Sequence, residues 1–269
     1  MHPIERLRWI ARADGEAAAT IASEAGWTLG ELAVDEPAAL LTACRRLVSR
    51  HPTCGPLWWV AAKLLDSDDP LACAQAAAAE LYSDTVPDRL AEGLRASFTS
   101  GDSLAVSAPC DLVREALVRR SSYFVRMIAD YARLRAELRG FGAVVEDACG
   151  FEPEEAEEAL TGCSVLLVEA LAAGRPGLVV DVATAGIVTA AAERCPPVPV
   201  WAVLGAGRVL PDRLVEAILD LAGAAGESAE LASSDEFSLA VDAEGLGTLE
   251  AALARSSCPP GLELIPRGL

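Results

Sequence analysis

The chain has 269 residues, enough to bury a substantial core as one large domain or two modest ones. Its net charge of −18 opposes direct contact with nucleic acid or anionic lipid, and a single lysine, Lys63, leaves Schiff-base chemistry or a P-loop almost nowhere to sit. No apolar run of about 18 residues occurs, and the start MHPIERLRWIAR lacks the apolar stretch of a secretory signal, so neither membrane insertion nor export is expected and the protein is placed in the cytoplasm.

The first hundred residues predict helices. Apolar positions recur at three and four over 4–25, 36–50, 56–65, 70–82 and 87–98, and Pro or Asp-Pro breaks separate the segments. Residues 1–100 therefore read as a helical N-terminal domain. From about Gly101 the pattern changes to short β-type runs between helical stretches: SLAVSA (103–108), YFVRMIA (123–129), GAVVED (142–147), SVLLVEA (164–170), VPVWAVLG (198–205) and FSLAVD (237–242). Such runs alternating with helices imply parallel strands joined by right-handed crossovers, so 101–269 reads as a Rossmann-like α/β domain. GFEPEEAEEALTGC, with proline near a helix start and acids in the first turn, reads as a solvated helix cap rather than a metal site. Residues 114–139 hold seven arginines against three acids, a basic band that reads first as a solvated helix face and second as a contact for a ligand or partner.

Ligands of a doubly wound sheet bind beyond the carboxyl ends of its strands. Ser107, Cys110, Glu169, Asp181 and Arg208 follow such runs and form the candidate crevice. Arg208 closes the turn Gly205-Ala206-Gly207-Arg208; glycines let a backbone approach an anion and arginine takes phosphate bidentately, although a tight turn with a surface arginine is the simpler reading. A dinucleotide fingerprint is excluded because its third glycine would fall at Leu210. Eight cysteines at least ten residues apart, with no CxxC and only His2 and His51 to join them, read as small core residues. No metal and no cofactor is expected.

Four segments in order carry a resemblance. In SRHPTCGPLWWVAAKLL, Arg50, Pro52, Thr53, Leu57 and Trp59 stand where one family has Arg-Pro-Thr, small residues, Leu and an aromatic, with His51 inserted. LAVSAPCDLVREAL, the stretch 162–203 and the terminal CPPGLELI follow at matching spacing. The chain resembles the regulatory subunits of translation initiation factor two-B and the methylthioribose-1-phosphate isomerases over roughly residues 15–265. The resemblance implies an N-terminal helical domain on a mainly parallel sheet of the ribose-5-phosphate-isomerase and CoA-transferase type, paired as a dimer, and it adds Arg50 and Thr53 to the ligand-binding set.

It also shows what is missing. Ala108 stands where the isomerase cysteine belongs, with Cys110 two residues on, and Glu169-Ala170-Leu171 replaces Gly-Ala-Asp. Asp181-Val182-Ala183-Thr184 replaces Asn-Lys-Gly-Thr, and AGWTLGELAVDEP runs where the isomerases have an Arg-Gly-Ala-Pro substrate loop. The expected protein is therefore a non-catalytic homodimer that senses a small phosphorylated ligand, a nucleotide or sugar phosphate. The alternative is a diverged aldose-ketose isomerase using Cys110 and Glu169. Trp201 is expected in the central sheet, and the dimer contact on the helix 184–194 and on 211–221, where Leu214, Ile218 and Leu221 recur at helical spacing.

Overall fold

A computed structural model describes residues 2–13, 15–99, 101–108, 110–118, 123–128 and 148–265. The chain opens with α1 (Pro3–Ile10), α2 (Ala18–Asp35), α3 (Leu40–Arg50), α4 (Gly55–Asp66), α5 (Pro70–Tyr82) and α6 (Val86–Ser97). α1, α4, α5 and α6 each start with proline in the first two positions, where its missing N–H and fixed φ cost nothing. The single helix expected over 4–25 is instead two. Gly15, at φ +74°, occupies a left-handed conformation that no helix interior accepts, and α2 then runs on through AGWTLGELAVD.

The second half contains β1 (Ser103–Ser107), α7 (Asp111–Val118), β2 (Phe124–Ile128), β3 (Ala148–Phe151), α8 (Ala156–Ala159), β4 (Val165–Glu169), β5 (Ala172–Gly174), β6 (Gly177–Asp181), α9 (Val182–Glu193), β7 (Val200–Val203), α10 (Asp212–Ala225), β8 (Ala229–Ser233), β9 (Leu239–Asp242), β10 (Gly245–Gly247) and α11 (Leu249–Leu253). Seven strands form one sheet in the order β10-β9-β7-β4-β1-β2-β3, parallel throughout except for β10 against β9. The α/β architecture with a mainly parallel sheet is the one the alternation of runs predicts. The run 142–147 lies outside the described residues.

A second, antiparallel sheet, β5-β6-β8, has no counterpart in the sequence expectations. Its hairpin turns at Gly174-Arg175-Pro176-Gly177. Gly177 sits at φ +150°, and a Cβ there would lie 2.1 Å from the carbonyl oxygen of Ala232 on β8, so the backbone passes where no side chain fits.

Both faces of the large sheet are covered. On one, Ala105, Leu166, Val168 and Ala202 pack with Ile187, Val188 and Ala191 of α9; on the other, Leu104, Val106, Leu167 and Trp201 pack with Leu90 and Leu94 of α6 and Val113 and Leu117 of α7. Trp201 thus belongs to the central sheet, as expected. A third core joins α2, α3 and α4 to Ala172, Val179, Leu264 and the buried stripe Leu214, Val215 and Ile218 of α10. That stripe corrects the expected dimer surface: Leu214 and Ile218 are fully buried within the chain, because α10 turns its apolar face onto the helical half.

The acidic segment forms a capping box between Glu152 and Glu155 ahead of α8, in keeping with a solvated cap. Of the basic band, Arg114 pairs with Asp111, and Arg126 donates to the carbonyls of Glu158, Ala159 and Thr161 at the end of α8; the other five arginines lie outside the described residues. Cys44, Cys54 and Cys110 are core residues, whereas Cys149 and Cys195 are exposed, and none of the eight is in a disulfide. No described helix is long and apolar enough to cross a membrane.

Candidate functional site

The carboxyl ends of β1, β4 and β7 deliver Ser107, Glu169 and, through the turn after β7, Arg208; the end of β6 delivers Asp181. Glu169 is buried and both its oxygens are engaged. Oε1 accepts from Arg208 Nη2 at 2.5 Å, and Oε2 accepts from the N–H of Leu112 at 2.8 Å, in the first turn of α7. The carboxylate thus caps a helix start whose orphan amides and dipole favour an anion. Burial pushes Glu169 up to about 7; Arg208 pulls it down, Asp111 adds to the rise, and the amides of Leu112 and Val113 oppose it.

Arg208 is buried too, and it also donates to the carbonyl of Ala170. It is therefore neither a surface arginine nor one that faces an open crevice. The glycine turn before it is likewise used internally. The N–H of Ala206 donates to Asp84 Oδ2 at 2.8 Å, so a carboxylate of the chain itself stands where an anion would approach. Gly207, at φ +73°, lets α4 come close, since a Cβ there would lie 3.1 Å from both Pro56 Cα and the Trp59 ring.

Beside this pair a second polar cluster closes the end of β1. Ser107 Oγ lies 2.6 Å from Thr184 Oγ1, which is also 3.1 Å from the carbonyl of Ala108 and from Asp181 Oδ2. A hydroxyl carries one proton, so Thr184 donates to one acceptor at a time and Ser107 can fill a lone pair. Asp181 is the N-cap of α9, accepting from the Thr184 N–H at 2.8 Å. Thr184 is the member of this cluster that the sequence candidates omit. Its spacing, three residues after an aspartate at a strand end, is the capping pattern that could have found it.

Cys110 is buried ahead of α7, and its carbonyl accepts from the Arg114 N–H at 2.8 Å. Ala108 is buried, and the N–H of Leu171 is bonded to Val179 in the small sheet. Arg50 and Thr53 stand apart. Arg50 is exposed at the end of α3, and Thr53 Oγ1 donates to Glu227 Oε2 at 2.9 Å after α10. The adjacent Cys54 is pushed up to about 11 by burial, against the pull of the Leu57 backbone N–H and of the Arg208 charge. Ser107, Asp181, Glu169 and Arg208 are thus gathered at one sheet edge; Arg50 is not.

A cavity of about 470 Å³ opens at the ends of β7 and β9, bordered by Trp59, Asp84, Gly205, Gly207, Asp242 and Arg255. Its charge is acidic, with Glu80 and Glu244 adding to the two aspartates, and Arg255 is bonded to Asp242 through Nε at 2.8 Å. The five crevice candidates do not line it. Among the described residues no group of three His, Cys, Asp or Glu could hold a metal ion.

No protein-family model and no curated protein matches the chain. Solved structures match it over nearly all its length. A chain of the tetrameric eIF2B-beta2-delta2 complex from C. thermophilum superposes with a TM-score of 0.68 at 17% identity, over 94% of this chain and 92% of that one. The translation initiation factor eIF-2B of Pyrococcus horikoshii OT3 gives 0.68 at 14%, over 93% and 98%, and eIF2B beta from Chaetomium thermophilum 0.61 at 19%, over 91% and 86%. At these identities the fold is what is shared, and it is the fold that the four sequence segments pointed to.

Proposed function

We propose that the chain is a non-catalytic protein of the initiation-factor-two-B type: a homodimeric regulatory module that takes a small phosphorylated ligand, a nucleotide or a sugar phosphate, at the carboxyl edge of its sheet. Residues 1–100 form its helical domain and 101–269 its Rossmann-like domain, of the ribose-5-phosphate-isomerase and CoA-transferase type. The observation that carries this reading is the state of the strand ends. Alanine and leucine stand where an isomerase needs a thiol and a carboxylate, and the one buried carboxylate nearby, Glu169, is committed to Arg208 and the start of α7. Because Arg208 is buried against Glu169, a phosphate reaches it by displacing that carboxylate, and protonation of Glu169 near neutral pH eases the exchange.

Thermal shifts with a panel of nucleoside monophosphates and sugar phosphates, run at pH 6 and pH 8, test the ligand. At 100 times its Kd a ligand stabilises by about 2.7 kcal/mol, so a flat response from every compound overturns the sensing role. Light scattering at micromolar concentration tests the dimer, and a monomer mass overturns it.

One observation favours a second reading, a diverged aldose-ketose isomerase. A carboxyl raised to about 7 suits a general base working near neutral pH, and Cys110 is its proposed companion. Turnover of methylthioribose 1-phosphate that disappears in Glu169→Gln would establish it.

A further inference from the structure

Far from the sheet edge, α1 and α3 lie side by side, tied where His51 Nε2 meets the carbonyl of Ile10 at 2.9 Å. Their outer faces enclose a groove of about 740 Å³ into which five arginines converge: Arg8 and Arg12 from α1 and the turn after it, and Arg45, Arg46 and Arg50 from α3. The chain carries 40 acids to 22 basic residues, and several arginines elsewhere find carboxylates, as Arg6 does Glu24, Arg175 Asp212 and Arg194 Glu157, while Arg95 and Arg126 donate to backbone carbonyls. Among the described residues these five have no ion pair; Arg45 donates to the carbonyl of Glu263 at 2.7 Å.

Helix dipoles account for Arg8 and Arg50, each in a last turn, but not for Arg46 or for the convergence. Arg46 and Arg50 are like charges one turn apart on α3, an arrangement that disfavours the helix unless something neutralises it, and Arg8 and Arg12 add two more of the same sign across the groove.

Beneath the groove lies a second cavity, of about 160 Å³, walled by Ile4, Leu7, Leu32, Ala43 and Leu47. The two spaces share Arg8, Ala11, Thr42 and Arg46, so the apolar cavity has two guanidinium groups at its lip. An apolar cavity of roughly this size, about 150 Å³, holds a benzene-sized hydrocarbon. Its walls are aliphatic, and Thr42 is the only uncharged polar side chain among them, so they suit a hydrocarbon better than a nucleobase.

We propose that this face binds a small amphiphilic phosphate ester: its phosphates lie on Arg8, Arg12, Arg46 and Arg50, and its short apolar group enters the cavity below. The size of the ligand follows from charge. An extended polyanion meets the field of a chain at −18, whereas a small ester seated in the groove meets chiefly the local arginines, because the field is screened within about 8 Å at physiological salt. The same chemistry occurs in a soluble ester and in the headgroup region of an acidic phospholipid.

Titration calorimetry on the full chain with dimethylallyl diphosphate and with inorganic pyrophosphate tests the site. The expected result is binding of the ester at least tenfold tighter than of pyrophosphate. Arg8→Gln with Arg46→Gln should weaken the ester at least tenfold without changing the circular dichroism, and Ala43→Met should fill the cavity and bring the ester down to the level of pyrophosphate. Co-sedimentation with phosphatidic-acid vesicles that depends on the same arginines would keep the arginine face as an anion site but overturn the assignment to a small ester. No binding of either diphosphate, equal affinity for the two in the unaltered protein, or indifference to the arginine variants overturns the proposal. The strand-end pair is not involved, so a flat result with nucleotides and sugar phosphates leaves this test intact, and the converse holds.

Discussion

The sheet edge and the α1–α3 face treat their charges in opposite ways. At the edge the charged groups singled out from the sequence have partners inside the chain: Arg208 holds Glu169, Glu169 caps α7 and Asp181 caps α9, while Asp84, which the sequence did not single out, takes the glycine-turn amide. On the outer face of α1 and α3, arginines stand together without a carboxylate among the described residues. A polar group satisfied from within mainly maintains the fold, and one left to solvent is available to a ligand. The two regions should therefore respond differently to substitution.

The largest effect is expected at the edge. Arg208→Met strands a buried carboxylate and should cost about 3–5 kcal/mol in urea unfolding, whereas Arg208→Met with Glu169→Leu should recover much of that. A loss below about 1 kcal/mol would mean that the pair is not structural. Gly207→Ala forces a side chain into a left-handed backbone against Pro56 and Trp59 and should cost about 1–3 kcal/mol by the same measurement.

Thr184→Val keeps the shape but removes the hydroxyl that meets Ser107 and the Ala108 carbonyl, for a loss of about 1–3 kcal/mol. A neutral result would show that water replaces it. The pH dependence of Glu169 has a definite sign. Its folded value, about 7, lies above its usual 4.5, so the native state binds the proton more tightly than the unfolded one. The associated stability is fully present below about pH 4.5 and is lost as pH rises through about 7. Melting temperatures of the unaltered protein should therefore fall relative to Glu169→Gln between pH 5 and pH 8; a gap that does not change with pH would contradict the shift. The smallest effect belongs to the other region. Arg8→Gln and Arg46→Gln together should change stability by no more than about 0.5 kcal/mol, or raise it slightly, because no internal partner is lost.

What could be read from the sequence follows the range of the interactions. β1, β4, β7 and β9 were visible because each is a continuous apolar run covered on both faces, and α4, α5 and α6 because proline marks their starts. The β5–β6 hairpin was not, since β5 is a three-residue strand, Ala172–Gly174, with no alternation to detect. At the strand ends, the sequence named residues but could not show the partners they hold. Arg208 reads as an outward, phosphate-facing residue until its partner 39 positions earlier is seen. Leu214 and Ile218 show the same limit, because helical spacing identifies an apolar stripe without saying whether it faces another subunit or the helices of its own chain.

Arg45 and Glu263 meet although 218 positions separate them, and the core beneath them joins Leu47 and Trp58 to Leu214, Ile218 and Leu264. At about 5–20 residues per second, a ribosome spends roughly 10–40 s between making the two sides of that core. Throughout that interval the core of the nascent helical half lacks Leu214, Ile218 and Leu264, and a message truncated before α10 never supplies them. Synthesis of this protein should therefore depend on holdase chaperones, and truncated products should be cleared by proteolysis rather than persist as a folded fragment.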